Sequence, residues 1–245
     1  MNILLVNDDG IDAKGLKVLA NKISEKHNVF IIAPISNRSA VSNCITINER
    51  LDIIQKDKQV WACSGYPADC TSLGLISDLF QEKIDLVISG INEGNNIGTD
   101  VVYSGTCAGA RQAVIYGVPG IAVSVDPIDW DYAIKNGFKY DAIADFVSKN
   151  IEKLMSLCDV EKRLFVNING ASIDKYKGAK ITKNLCVRKY GDTLKITKEN
   201  NKIFSSYIFG SNKINYPENT DFSIVREGFI SISQVNAEPC CSESN

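Results

Sequence analysis

Residues 3–10 read ILLVNDDG, and this stretch decides the fold. Ile3 to Val6 is an unbroken apolar run, as in a parallel strand buried on both faces. Asn7, Asp8 and Asp9 follow at once, so polar groups crowd the strand's C-terminal end. Residues 13–25, AKGLKVLANKISE, place Leu16, Leu19 and Ile23 at helical spacing. NVFIIAP at 28–34 is a second buried strand, stopped by Pro34. Strand, helix and strand joined by short loops predict an α/β fold with a mostly parallel sheet.

The alternation continues outward. A polar loop, SNRSAVSN at 36–43, leads into β-like alternation over 44–62, read as a hairpin arm. PADCTSLGLISDLF at 67–80 opens a helix on proline, which suits the first turn. IDLVISG at 84–90 is a strand, INEGNNIGTD at 91–100 a Gly/Asn-rich loop, and GTCAGARQAVIYG at 105–117 a helix of small residues. VPGIAVSV at 118–125 and RLFVNING at 163–170 are strands on either side of a helical stretch at 130–156. After about residue 175 the pattern turns to β-type segments at 177–191, 192–199, 202–210, 220–228 and 229–235. The expected organisation is one domain over 1–245: a core to about 170, a β-rich segment to about 236 and a polar tail at 237–245. Right-handed crossovers put the strand C-termini on one edge, where α/β sheets bind ligands at a switch in strand order. The loops at 7–10, 35–43 and 90–106 all follow strands and should converge there.

Composition narrows the function. The 245 residues are 44% hydrophobic and 23% charged, with 27 basic against 29 acidic side chains. No basic surplus advertises a nucleic-acid polymer or an anionic membrane as partner. No apolar run approaches the ~20 residues of a membrane span. The N-terminus lacks a basic region before its apolar run, so no signal peptide is read and the cytoplasm is expected. Eight scattered cysteines without a CxxC pair read as reduced thiols, and Cys240 and Cys241 receive no role. With His27 as the one histidine, at the end of a helix, triad or His-based phosphotransfer schemes have little to work with.

Three loops carry the chemistry. Asp8 and Asp9 repel each other unless a proton or a metal intervenes, and hard oxygen ligands suit Mg²⁺, Mn²⁺ or Ca²⁺. They are equally suited to cap a helix N-terminus. The loop at 36–43 offers Ser36, Asn37, Ser39, Ser42 and Asn43 as neutral oxygen ligands, with Arg38 as a phosphate-matching guanidinium; a plain polar turn has the same composition. GINEGNNIG at 90–98 places Asn92, Asn95 and Asn96 among glycines and leads to Ser104, Gly105 and Thr106 at the start of a helix. Backbone N–H groups of such a loop and helix can cradle a phosphate, although Ser104 also fits a simple N-cap. No Walker A or GxGxxG pattern is present.

Taken together, NDDGI at 7–11, AP at 33–34, NRS at 37–39, SN at 42–43, PxDC at 67–70, SGINxGxNxG at 89–98, YSGT at 103–106, TD at 220–221 and GFISI at 228–232 resemble the SurE (survival protein E) family. The resemblance implies a Rossmann-like three-layer core with a C-terminal β-rich part used for homodimer or homotetramer assembly. It implies one divalent metal per subunit, held by Asp8, Asp9, Ser39 and Asn92. Asn43, Asn96, Ser104, Gly105 and Thr106 would line the phosphate pocket, with Asp8 and Asp9 as the catalytic acids. The implied reaction is hydrolysis of nucleoside 5′- and 3′-monophosphates, with short polyphosphate as a further substrate. Departures from the family pattern fall at Asp12, Lys14, Ala40, Val41 and Ser64–Tyr66 and remove no proposed ligand. A haloacid-dehalogenase-like phosphatase fits less well because position 10 is glycine where DxD is needed. A receiver-like domain needs a phosphoacceptor Asp after a middle strand, whereas Asp85 here precedes its apolar run. A nucleotide-binding protein without catalysis is the remaining rival.

Overall fold

The computed structural model describes residues 1–187, 191–208, 210 and 217–239. Strand β1 (Asn2–Val6) lies in the middle of its main sheet. Parallel to it on one side run β2 (Asn28–Pro34) and then β4 (Val60–Cys63), with β3 (Ile53–Asp57) antiparallel at the edge. On the other side run β5 (Leu86–Glu93), β6 (Gly120–Asp126) and β7 (Leu164–Ala171), again parallel. Strand β11 (Ile230–Asn236) pairs antiparallel with β7, and β8 (Ala179–Ile181) closes that edge. The chain builds away from β1 in one direction and then returns to add β5 on the opposite side. The switch in strand order therefore lies between β1 and β5, at the carboxyl ends of both.

Alternation along β1 builds the layers, because successive side chains point to opposite faces. Ile3 and Leu5 pack with Leu16, Leu19, Ile143 and Val147, from α1 (Lys14–Ser24) and α5 (Asp141–Lys149). Leu4 and Val6 face the other way, with Cys70 of α2 (Pro67–Ile76) and Ala113 of α3 (Gly105–Ile115). Each fully buried leucine stabilises by about 1.5–3 kcal/mol relative to exposure. The result is the expected α/β architecture: helices on both faces of a mostly parallel sheet.

Four expectations need correction. The segment 220–228, read as β-type, is α7 (Asp221–Arg226). Phe222 and Ile224 mimic strand alternation over a run too short to reveal its period, whereas Thr220 and Ser223 form a capping box that starts a helix. The helix expected over 130–156 is three: α4 (Trp130–Asn136), α5 and α6 (Ile151–Met155). The hairpin arm expected over 44–62 narrows to β3 and β4; Thr46 instead donates its N–H and hydroxyl to the Asp69 carboxylate, at 2.9 and 2.8 Å. In the β-type segment at 177–191, the strand among the described residues is β8 alone.

From the β-rich segment, β8 and β11 extend the core sheet. Strands β9 (Thr193–Glu199) and β10 (Lys202–Ile208) stand apart as an antiparallel hairpin with every residue exposed. Residues 240 and 241 lie outside the described residues.

Candidate active site

The expected convergence occurs. Asp8 and Asp9 follow β1, Ser39 sits in the loop after β2, Asn92 is the penultimate residue of β5, and Asn96 follows in the glycine-rich loop. A cavity of about 250 Å³ is lined by Asp8, Ser39, Asn92, Asn96 and Ser104, among others. The pairing of β5 with β6 slips between Ser89 and Asn92, and such irregularities re-aim side chains next to functional sites.

Asp8 is buried, with 3% of its surface exposed. Its Oδ1 accepts the Thr106 hydroxyl at 2.5 Å, and the backbone N–H groups of Gly105 and Thr106 also serve it. The first turn of α3 thus points its unpaired donors at this carboxylate, as the helix dipole favours. A Cβ at Gly105 would lie 2.8 Å from the Asp8 Cβ, so the approach requires glycine. Asp9 accepts the Glu93 N–H at 3.1 Å and faces the Asn37 amide at 3.5 Å. Burial raises the Asp8 carboxyl above its ordinary value despite its hydrogen bonds. Burial, then the neighbouring Asp8 charge, pushes Asp9 up to about 7.

Ser104 is the N-cap of α3 and accepts the Cys107 N–H at 2.9 Å. The Asn92 amide donates to Gly94 O at 2.9 Å, which leaves its oxygen as the ligand-capable atom. Asn96 is clamped: its amide donates to Ser124 Oγ at 2.7 Å, and its carbonyl accepts from Asn167 and Asn169 at 2.8 and 3.1 Å. Asn43 is not brought to this cavity. Its amide donates to Gln112 at 3.2 Å, and it faces a separate pocket beside Arg111.

Two desolvated carboxylates side by side, with no Lys or Arg ion pair to either among the described residues, are the setting a cation would relieve. No group of three His, Cys, Asp or Glu that could hold a metal occurs among the described residues. The donor set here is two carboxylates with neutral oxygens from Ser39 and Asn92. That chemistry fits a hard divalent ion better than zinc.

Comparison with known proteins gives the family. The family model described as Survival protein SurE matches residues 3–191. The chain belongs to the SurE family. It is similar to the 5′-nucleotidase SurE of Treponema pallidum, at 41% identity over 73% of this chain and 95% of that protein. The 5′-nucleotidase SurE of Clostridium botulinum strain Eklund 17B is 35% identical over 96% of this chain and 93% of its own. The crystal structure of the SurE protein from Aquifex aeolicus superposes with a TM-score of 0.82 at 29% identity, covering 98% of this chain and 95% of that one.

Several groups in this SurE-family site escape a reading of motifs. Tyr140 donates its hydroxyl to Glu93, next to the N–H that holds Asp9. Asp221 is buried and accepts N–H groups from Gly98 and Cys186, both at 2.7 Å, so α7 fastens the glycine-rich loop. Asn167 and Asn169 lie two apart on a buried strand. Their signal was available: polar residues at alternate positions of an apolar strand share one face.

Proposed function

We propose that this SurE-family chain is a divalent-metal-dependent 5′-nucleotidase, hydrolysing nucleoside 5′-monophosphates to nucleoside and phosphate. The carrying observation is the Asp8–Asp9 pair at the β1/β5 switch point, desolvated and without a cationic partner among the described residues. The names carried by the relatives support the substrate class. We extend the reading to 3′-monophosphates and short polyphosphate, with a Mg²⁺ or Mn²⁺ ion per subunit, Ca²⁺ being the alternative, and a cytoplasmic location. Among the described residues no helix is long and apolar enough to cross a membrane.

Asp8, Asp9, Ser39 and Asn92 would hold the metal. When bound, such an ion supplies Lewis-acid polarisation of the phosphoryl group and a lower pKa for water. Thr106 and the first N–H groups of α3 fix the Asp8 carboxylate, and Glu93 fixes Asp9. Ser104 and Asn96 line the cavity and bind phosphate oxygens there. In this reading Asp8 or Asp9 would accept the proton of the attacking water.

The test is phosphate release from nucleoside monophosphates and an aryl phosphate with Mg²⁺, Mn²⁺, Ca²⁺ or EDTA. Metal-dependent release abolished by EDTA is expected. Folded protein that binds nucleotide but releases no phosphate with any of these metals would replace the enzyme with a binding protein.

A further inference from the structure

Trp130 stands at the rim of the Asp8 cavity with 53% of its surface exposed, and Tyr103 lines the same cavity with 55% exposed. An indole is costly to leave in water without use, yet this one is held in place. Its ring meets Phe138 edge-on, with centroids 5.9 Å apart, and Phe138 stacks on Tyr140 at 6.1 Å. Its other support is Gly94. There φ is +115°, and a Cβ would come within 3.1 Å of the indole Cη2. Gly94 is in turn fixed on both sides: its N–H donates to Val125 O at 3.1 Å, and its carbonyl accepts the Asn92 amide at 2.9 Å. The indole is therefore seated on the same turn that presents Asn92, one of the candidate metal ligands, and it lines the cavity with about half of its surface exposed.

A flat apolar surface fixed beside a phosphate site matches one part of a nucleotide, the base. We propose that Trp130, with Tyr103 lining the same cavity, is the nucleobase subsite, on which the base stacks while the phosphate lies by Asp8 and Ser104. This rests on the nucleotidase reading and adds a specificity-determining residue to it. Stacking uses the π-face that every base has, so the platform selects for a base and tolerates its identity.

The chain has two tryptophans, and Trp61 packs on Phe80 with centroids 5.0 Å apart. Trp61→Phe therefore isolates the Trp130 fluorescence. Saturable quenching by AMP and by adenosine, without quenching by glycerol phosphate, is expected. In kinetics, Trp130→Ala should lose about tenfold more kcat/KM on AMP than on glycerol phosphate, mainly through KM, with Trp130→Tyr recovering most of it. Equal losses on both esters would mean a structural role and overturn the proposal. So would a Trp130 signal that moves on protein dilution and ignores nucleotide, which would assign the ring to contact between copies. The two readings fail separately. Quenching by AMP without phosphate release sinks the nucleotidase and keeps the subsite; release from AMP without quenching does the reverse.

Discussion

Thr106 and Asp8 show how a single side chain can be committed before any ligand arrives. The hydroxyl and two backbone N–H groups converge on one buried carboxylate. Asp8→Asn should therefore abolish phosphate release, by more than about a hundredfold, with metal binding lost alongside. Near-normal turnover of that variant in excess Mn²⁺ would show that Asp8 is no metal ligand. Thr106→Val keeps the volume and removes the donor. It should lower kcat by about tenfold, equivalent to about 1.4 kcal/mol and typical for a hydrogen bond to a charged group. His27 supplies a pH-dependent readout away from the site. Partial burial, then the N-terminal charge, lowers its pKa below the ordinary 6.5. Its contribution to stability is thus present above the unfolded value and lost as pH falls through the folded one. As the one histidine in the chain, it should give a single imidazole NMR titration with a midpoint below 6.5. A midpoint at or above that value would contradict the burial. At this scale the metal-ligand candidates stood out as polar groups near strand ends: Asp8 and Asp9 follow β1, Ser39 lies in the loop after β2, and Asn92 is in β5 itself. The Asn43 bond to Gln112 was not legible, because a motif fixes a residue's neighbours in sequence and not the direction of its side chain. Thr106 was legible as a helix start, but its attachment to Asp8, almost a hundred residues earlier, was not.

Among the elements, strands and helices of the core follow from period and apolar content alone, since β1, β5 and β6 are buried almost throughout and β2 is buried toward its C-terminal end. Reading failed where segments are short. Helix α7 has six residues, and its identity rests on the cap rather than on periodicity. Thr220→Ala should then destabilise the fold by about 1 kcal/mol, as N-cap removal does, read as a shift in urea midpoint at constant slope. An unchanged midpoint would mean that Asp221 alone starts the helix. Because Asp221 holds the N–H of Gly98, the same variant should also loosen the glycine-rich loop, visible as faster amide exchange there.

For the whole molecule, the β9–β10 hairpin is the feature that the rest of the fold does not explain. A two-stranded hairpin is marginal by itself, and Leu194, Ile196, Ile203, Phe204 and Tyr207 are all exposed on it. The proposed homodimer or homotetramer would cover these side chains. Ile203→Lys with Phe204→Ser should lower the mass measured by light scattering to that of a monomer, while the circular dichroism of the core is kept. An unchanged mass would place the interface elsewhere. The size of the assembly is not legible in sequence because apolar residues in a hairpin look the same whether the covering surface is their own chain or another copy.

Strand β11 pairs with β7 along its whole length, Ser231 opposite Asn169 and Asn236 opposite Leu164. Strand β7 also carries the two asparagines that clamp Asn96. During synthesis, the ribosome must therefore deliver residues 230–236 before the neighbour of that clamp is in place. A nascent chain stalled short of them would carry every loop of the site with one edge of the sheet open. Maturation of the pocket is in this sense tied to the late arrival of a segment that never touches it.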